Sequence, residues 1–122
     1  MLFRSAIITV KLPYPPSVNH YYRHVGSRML ISREGRLYRD RVCAILRTEG
    51  VHPLDGHLIL EVELYPPDAR RRDLDNCQKC LWDALAHGRA YWDDVQIKDL
   101  HAYMREPLAP HGMAIVRIEK KQ

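Results

Sequence analysis

One segment of this 122-residue chain sets acidic and basic side chains side by side. Asp73 and Asp75 directly follow three arginines at positions 70–72, and Lys79 comes four residues after Asp75. A second acidic pair stands at positions 93–94. Carboxylates bind divalent cations, and arginine or lysine binds phosphate. The spacing therefore favours a metal-assisted site that acts on a phosphodiester.

A helix is predicted to position these side chains. Apolar residues recur at helical spacing after the acidic pair, at Leu74, Cys77, Leu81, Ala84 and Leu85. Asp73 or Asp75 can cap its N-terminus, and Gly88 is a natural stop. Asp75, Lys79 and Asp83 then share one polar face, because residues four apart are neighbours on a helix.

Each of these residues also has an ordinary structural interpretation. An aspartate before an apolar periodic run is often only a cap. An acid–base–acid series at four-residue spacing is often a solvated surface, and neighbouring arginines are often a solvated patch. Their occurrence together, followed by a second acidic pair, favours a site over these separate interpretations.

The remaining elements predict the order β-α-β-α-β-β. Strands are expected at residues 6–12, 57–65, 95–104 and 113–119, and helices at 32–49 and from position 73 to about 87. The last two strands are expected to form a hairpin across residues 106–112, and residues 17–31 a loop or arm. This order predicts a single α+β domain over residues 1–122, with helices packed on a small mixed sheet.

The charge distribution favours a nucleic-acid partner over a merely soluble basic domain. The net charge is +4, but residues 1–47 alone contain nine basic and two acidic residues. Arginine outnumbers lysine fourteen to five, and arginine suits phosphate recognition. Five arginines fall on the first predicted helix, and Arg36, Arg39 and Arg47 are expected to share its solvent face.

Three cysteines, no apolar run of membrane-spanning length and no signal-peptide pattern together indicate a cytoplasmic protein. Cys77 and Cys80 have the spacing of a metal or redox pair. No second cysteine pair exists, however, and Cys77 falls on the apolar side of its helix. Both are therefore expected to be small core residues.

Several motifs together resemble the RusA family of Holliday-junction resolvases. They are Arg-Arg-Arg-Asp-Leu-Asp-Asn at 70–76 with Lys79, Trp-Asp-Ala-Leu at 82–85, and Trp-Asp-Asp-x-Gln at 92–96. Two further matches are Pro-Pro-Ser-x-Asn-x-Tyr-Tyr-Arg-His at 15–24 and Glu-Gly-x-x-Tyr-Arg-Asp at 34–40. The resemblance extends from about residue 12 to about residue 99.

This resemblance implies a set of roles. The metal ligands would be Asp73, Asp75 and Asp94, with Lys79 assisting catalysis. Asp93 would cap or orient its neighbour. The phosphate and DNA contacts would come from Arg70, Arg71, Arg72, Asn19 and Arg23. Three tyrosines, at positions 14, 21 and 22, admit two interpretations: stacking on exposed bases, or packing of the arm.

The resemblance also implies the activity. We expect a Mg²⁺-dependent endodeoxyribonuclease, with Mn²⁺ as a substitute metal, that resolves four-way DNA junctions by paired symmetric nicks and works as a homodimer in recombination and repair. Two alternatives stay open. One is a basic junction-binding module whose carboxylates are structural. The other is a general nuclease for flaps and forks.

Overall fold

The computed structural model describes residues 7–122. In chain order its elements are β1 (Ile7–Leu12), α1 (Val18–Tyr21), β2 (Tyr22–Val25), β3 (Arg28–Ile31), α2 (Arg33–Thr48), β4 (Leu58–Tyr65), α3 (Gln78–His87), β5 (Ile97–Met104) and β6 (Met113–Lys120). The predicted start of the first strand, at position 6, lies outside the described residues. The predicted α+β class with a mixed sheet is confirmed.

Within residues 7–122 the main sheet has four strands, in the order β1-β6-β4-β5. β4 pairs with β5 in parallel and with β6 antiparallel. The predicted hairpin of β5 with β6 is therefore wrong, because β4 lies between them. A parallel neighbour needs a long crossover, and the segment from β4 to β5, which contains α3, supplies it. Leu108 N–H donates to the Pro66 carbonyl at 2.7 Å, which holds the β5–β6 connection at the end of β4.

The core lies between one face of this sheet and the helices α2 and α3. The alternating residues Leu58, Leu60, Val62 and Leu64 of β4 are fully buried, as their period-two pattern predicts. The helices contribute Tyr38, Val42, Leu46, Leu81, Ala84 and Leu85. These apolar residues are the ones that hold α3, and with it the candidate site, in place.

Two helix boundaries follow the sequence signals. Ser32 caps α2, and its hydroxyl accepts the N–H of Gly35 at 2.9 Å. Gly88 caps the end of α3 at a point of close helix approach. A Cβ there would stand 2.6 Å from a methyl carbon of Leu46. A side chain at this position would require the buried Leu46 to move, so glycine favours the close packing of α3 against α2.

The segment predicted as a loop or arm is more regular than expected. It forms the short helix α1 and a separate two-stranded hairpin of β2 and β3. The hairpin turns at Gly26, whose φ of 62° suits glycine. Its strands have only four residues each and mix charged with apolar side chains, so no clear alternation announces them. The element order is thus β-α-β-β-α-β-α-β-β.

No helix within residues 7–122 is long and apolar enough to cross a membrane.

Candidate active site

Asp73 and Asp75 lie at the start of the predicted helix, but they do not cap it. A 3-10 turn, Leu74–Cys77, precedes α3, and the Asp73 side chain makes no capping hydrogen bond. The backbone carbonyl of Asp73 instead accepts the N–H of Asn76 at 3.2 Å. Asp73 thus has the N-cap position of the turn, but the predicted side-chain cap is wrong, because its carboxylate accepts no backbone N–H. Both carboxylates are solvent-exposed and in a position to bind a ligand.

Asp93 has the capping role expected of it. It precedes a 3-10 turn, Asp94–Gln96, and its carboxylate accepts the N–H of Val95 at 2.9 Å. The Gln96 side chain accepts the Asp93 N–H at 3.0 Å, which completes a capping box. We refer to residues 92–96 as the acidic turn.

The Gln96 side chain also ties the acidic turn to the rest of the molecule. Its carbonyl oxygen accepts the Trp92 N–H at 2.8 Å. Its amide nitrogen donates to the backbone carbonyls of Leu54 at 2.9 Å and Gly56 at 3.0 Å. Four hydrogen bonds through one side chain therefore fix the backbone that presents Asp94.

Asp94 is partly enclosed, and its charge is not offset by an ion pair within the described chain. Burial and a hydrogen bond with Asp93 raise the pKa of the Asp94 carboxyl. Nearby Lys79 acts in the opposite direction, more weakly. This carboxylate is therefore destabilised in its charged form, and a divalent cation would relieve that destabilisation.

Asp83 does not share a solvated face with Asp75 and Lys79. Its carboxylate accepts hydrogen bonds from the buried Tyr21 hydroxyl and from Arg39 Nη2, the latter at 2.7 Å. Lys79 and Asp83 are one turn apart on α3, as predicted, but Asp83 is paired with Arg39 instead of being solvated. Arg39, expected on the solvent face of α2, is half-buried in this contact, because a partly enclosed carboxylate needs a cationic partner. The contact ties α3 to α2 and to α1.

The predicted arginine run belongs to a structured loop, which we call the arginine loop (residues 66–73). Asp68 accepts Arg72 Nη1 at 2.7 Å and the backbone N–H of Arg70 at 2.9 Å. These hydrogen bonds lower the pKa of Asp68 to about 2, with that from Arg72 contributing most. The Arg72 guanidinium also lies 5.9 Å from the centre of the Tyr14 ring. Arg72 is thereby held in a defined orientation, and Arg71 is exposed.

A groove of about 610 Å³ lies between the arginine loop and α2, and we call it the arginine groove. Its walls include Tyr14, Leu37, Arg41, Asp73 and the three arginines of the loop. Of the three candidate carboxylates, Asp73 is the one that lines this basic groove.

The described structure does not assemble the three candidate metal ligands into one cluster. Among residues 7–122, no group of three or more His, Cys, Asp or Glu side chains is placed to hold a metal ion. Asp73 and Asp75 lie at one end of the Leu74–Cys77 turn, and Asp94 lies in the acidic turn. Lys79 is near enough to Asp94 to influence its titration.

Comparison with known proteins decides the family. The family model described as "Endodeoxyribonuclease RusA" matches residues 13–119. This chain belongs to the RusA family. The RusA crossover junction endodeoxyribonuclease of Escherichia coli K12 is 42% identical over 105 residues, which cover 85% of this chain and 87% of that protein. The corresponding protein of Enterobacteria phage 82 is 44% identical over 104 residues, covering 84% and 86%.

A third RusA relative, from Shigella sonnei, is 44% identical over 105 residues and again covers 85% of this chain and 87% of its own length. The resemblance seen in the motifs is therefore confirmed, and so is the enzyme class, an endodeoxyribonuclease.

In this RusA-family chain the arm residues Asn19 and Arg23 are both exposed, on α1 and β2 respectively. Tyr21 is buried, which favours the packing interpretation for that tyrosine.

Sequence reasoning missed the supporting residues of this RusA site. It gave no role to Asp68 or to the Asp83–Arg39 pair, and it noted Gln96 only as part of a motif. The spacing of the capping box, Asp93 to Gln96, was the one available signal.

The cysteine prediction is confirmed. Cys77 and Cys80 are buried, and burial raises their thiol pKa values to about 11 and about 12.

Proposed function

We infer that this RusA-family chain resolves four-way DNA junctions by paired symmetric nicks, as a homodimer that requires Mg²⁺ and accepts Mn²⁺ in its place. The observation that carries this inference is the presence, in one RusA-family chain, of a carboxylate without an ion pair in a turn fixed by Gln96 and of an arginine-lined groove that includes Asp73. Its relatives carry the name crossover junction endodeoxyribonuclease. The three cysteines are free thiols, in keeping with a cytoplasmic site of action.

The proposed metal ligands are Asp73, Asp75 and Asp94. Mg²⁺ is usually held by one or two carboxylates together with substrate phosphates and waters, so a site that is not closed by protein alone suits it. The exposed Asp73 and Asp75 and the uncompensated Asp94 have the hard oxygen donors that Mg²⁺ prefers. Bound metal would activate a water and offset negative charge on the phosphoryl oxygens.

Lys79 and Arg72 are the proposed cationic partners of the scissile phosphate. Lys79 is a compact charge on a flexible stem, close to Asp94, and can approach a non-bridging oxygen. Arg72 is oriented by Asp68 and Tyr14, which reduces the freedom it loses when it binds phosphate. Arg70, Arg71, Asn19 and Arg23 are proposed as further DNA contacts.

A homodimer suits the symmetry of the substrate. A four-way junction offers two equivalent strands, and an isologous dimer places two equal sites at matching phosphates. Recognition would depend mainly on phosphate contacts and DNA shape, so binding is expected to weaken steeply as salt is raised.

The test is cleavage of an end-labelled synthetic four-way junction, with Mg²⁺ and with EDTA, by wild type and Asp75→Asn. Paired nicks that need metal and are lost in the variant, with junction binding retained, are the expected result. Junction binding without cleavage under either metal would instead identify a binding module. Equal cleavage rates on junctions, flaps and forks would identify a general nuclease. The dimer is tested separately, by sedimentation of the free protein.

A further inference from the structure

Two cationic side chains of the arginine groove form no ion pair within residues 7–122, although the exposed carboxylates of Glu34 and Asp73 also line the groove. Arg70 and Arg72 both pair with Asp68. Arg71 on the loop and Arg41 on α2 are exposed, and neither forms an ion pair within residues 7–122. Each is supplied by a different wall of the groove. An anionic ligand between the walls could therefore be contacted from both sides.

The same groove offers flat and apolar surface. Tyr14 is half-buried in its wall, and the Arg72 guanidinium lies over the Tyr14 ring. On the α2 side Leu37 is 54% exposed, although it is a large apolar residue. Leu37, the Tyr14 ring and arginine side chains thus line one groove, and nucleic-acid bases stack on aromatic and arginine side chains in basic grooves.

The size of the groove restricts what it can hold. Its 610 Å³ is in the range of sites for small organic ligands. A duplex is far too wide to enter a space of this volume, since its two grooves alone are about 12 Å and about 6 Å wide. Asp73, one of the proposed metal ligands, is among the lining residues, so an occupant of the groove lies beside that ligand.

We propose that the arginine groove binds one unpaired nucleotide adjacent to the cleaved phosphate, with its base against Leu37 and Tyr14 and its phosphate between Arg41 and Arg71. This inference rests on the proposed junction-cleaving function and specifies how a branch point is selected. Unstacking a base costs a few kcal/mol and costs less where the duplex is already disturbed, and a branch point interrupts the continuous duplex. A continuous duplex would have to unpair before it could fill the groove.

The test combines an abasic substitution in the DNA with a substitution in the groove. Junctions carry an abasic residue on either the 5′ or the 3′ side of each mapped nick, and binding is measured in EDTA by fluorescence anisotropy. For wild type, the abasic residue on one side should weaken binding about tenfold, the loss of one stacked base. The Leu37→Ser variant should bind the intact junction about tenfold more weakly than wild type does. Its affinity should not fall further when the junction carries the abasic residue.

Ala44→Ser is the matched control, because Ala44 is also exposed on α2 and does not line the groove. It should behave as wild type. Arg41→Gln tests the phosphate contact: the slope of log affinity against log salt should fall by about one, whereas Lys120→Gln should leave it unchanged. Leu37 and Arg41 are exposed, so both variants should fold, which thermal melting checks.

Two results would overturn the inference while leaving the proposed function intact. One is a wild-type enzyme that nicks junctions and binds the abasic junctions as tightly as the intact one. The other is an abasic penalty of equal size in wild type and Leu37→Ser. Failure of the wild type to nick any junction with Mg²⁺ would be a different result, since it would remove the proposed function itself.

Discussion

In the arginine loop, Asp68 lies between Arg70 and Arg72, whereas in the acidic turn Asp94 has no ion-pair partner within the described residues. The hydrogen bond from Arg72 lowers the pKa of Asp68, and burial with the neighbouring Asp93 raises that of Asp94. Both segments are irregular loops beside α3. One holds its carboxylate with side-chain cations, the other with a backbone fixed by Gln96.

This difference separates two uses of the same side chain. A carboxylate already paired with arginine has little to gain from a metal ion, and it orients the arginine for another ligand. A carboxylate held by its backbone and left without a cation is stabilised when a cation arrives. We therefore expect Asp68 to act through Arg72 and Asp94 to act on the metal directly.

The largest effect is expected for Asp94→Asn. The variant should lose cleavage by about 1000-fold or more, because several kcal/mol of charge stabilisation depend on the metal. Junction binding should be equal or tighter, since a negative charge near phosphate is removed. Single-turnover cleavage and anisotropy measure the two quantities. A cleavage rate of Asp94→Asn within tenfold of wild type would show that Asp94 does not act on the metal, and that its lack of an ion pair has no role in catalysis.

The second-largest effect is expected for Gln96→Ala, which tests whether metal binding by Asp94 depends on the backbone of the acidic turn. Gln96→Ala removes all four hydrogen bonds of that side chain while leaving Asp94 in place. We expect a loss of about 10–100-fold in metal affinity, the usual consequence of removing an orienting contact. Unfolding free energy should fall by about 1–3 kcal/mol.

Mn²⁺ titration and urea unfolding measure these changes for Gln96→Ala. Val95→Ala is the matched control, because Val95 is 65% exposed in the same turn. It should leave metal affinity and stability unaltered. Equal metal affinity in wild type and Gln96→Ala would mean that the turn does not depend on Gln96 to present Asp94.

Features that depend on neighbours in sequence were predictable, whereas contacts between distant segments were not. The alternation of Leu58 to Leu64 and the cap at Ser32 depend on neighbours in sequence, and both were correct. The partners of Asp83 and Gln96 come from distant segments, at Arg39 and at Leu54, which no local pattern specifies. The hairpin error has a similar cause, since the position of β4 between β5 and β6 is a property of the whole sheet.

A third carboxylate, Asp83, gives an intermediate case. It is paired with a cation like Asp68, but the pair is more enclosed and includes Tyr21. Asp83→Asn should lower the unfolding free energy by about 1–3 kcal/mol, because Arg39 keeps its charge without its carboxylate partner. Asp40→Asn, an exposed acid on α2 without an ion pair in the described chain, should have no measurable effect. Urea unfolding compares both variants with wild type. If Asp83→Asn is as stable as wild type, the contact of Asp83 with Arg39 and Tyr21 does not stabilise the fold.

The smallest effect is expected for Asp68→Asn, and it should depend on pH. The folded-state pKa of Asp68, about 2, is below the ordinary value of about 3.9 for an unfolded chain. The contribution of this carboxylate to stability is therefore fully present above about pH 4 and disappears as the pH falls through about 2. Wild type should melt slightly above the variant at pH 7, and the two melting curves should converge in acid.

Salt gives a second check on Asp68→Asn, because an exposed ion pair is screened. The small difference in melting temperature should shrink as NaCl is raised from low concentration. Junction affinity should change more than stability does, since Arg72 loses the partner that orients it. A melting difference that survives both acid and high salt would mean that Asp68 supports the loop through its shape or its neutral hydrogen bonds. The difference between Asp68, which is paired with arginine, and Asp94, which is not, would then not be a difference in charge stabilisation.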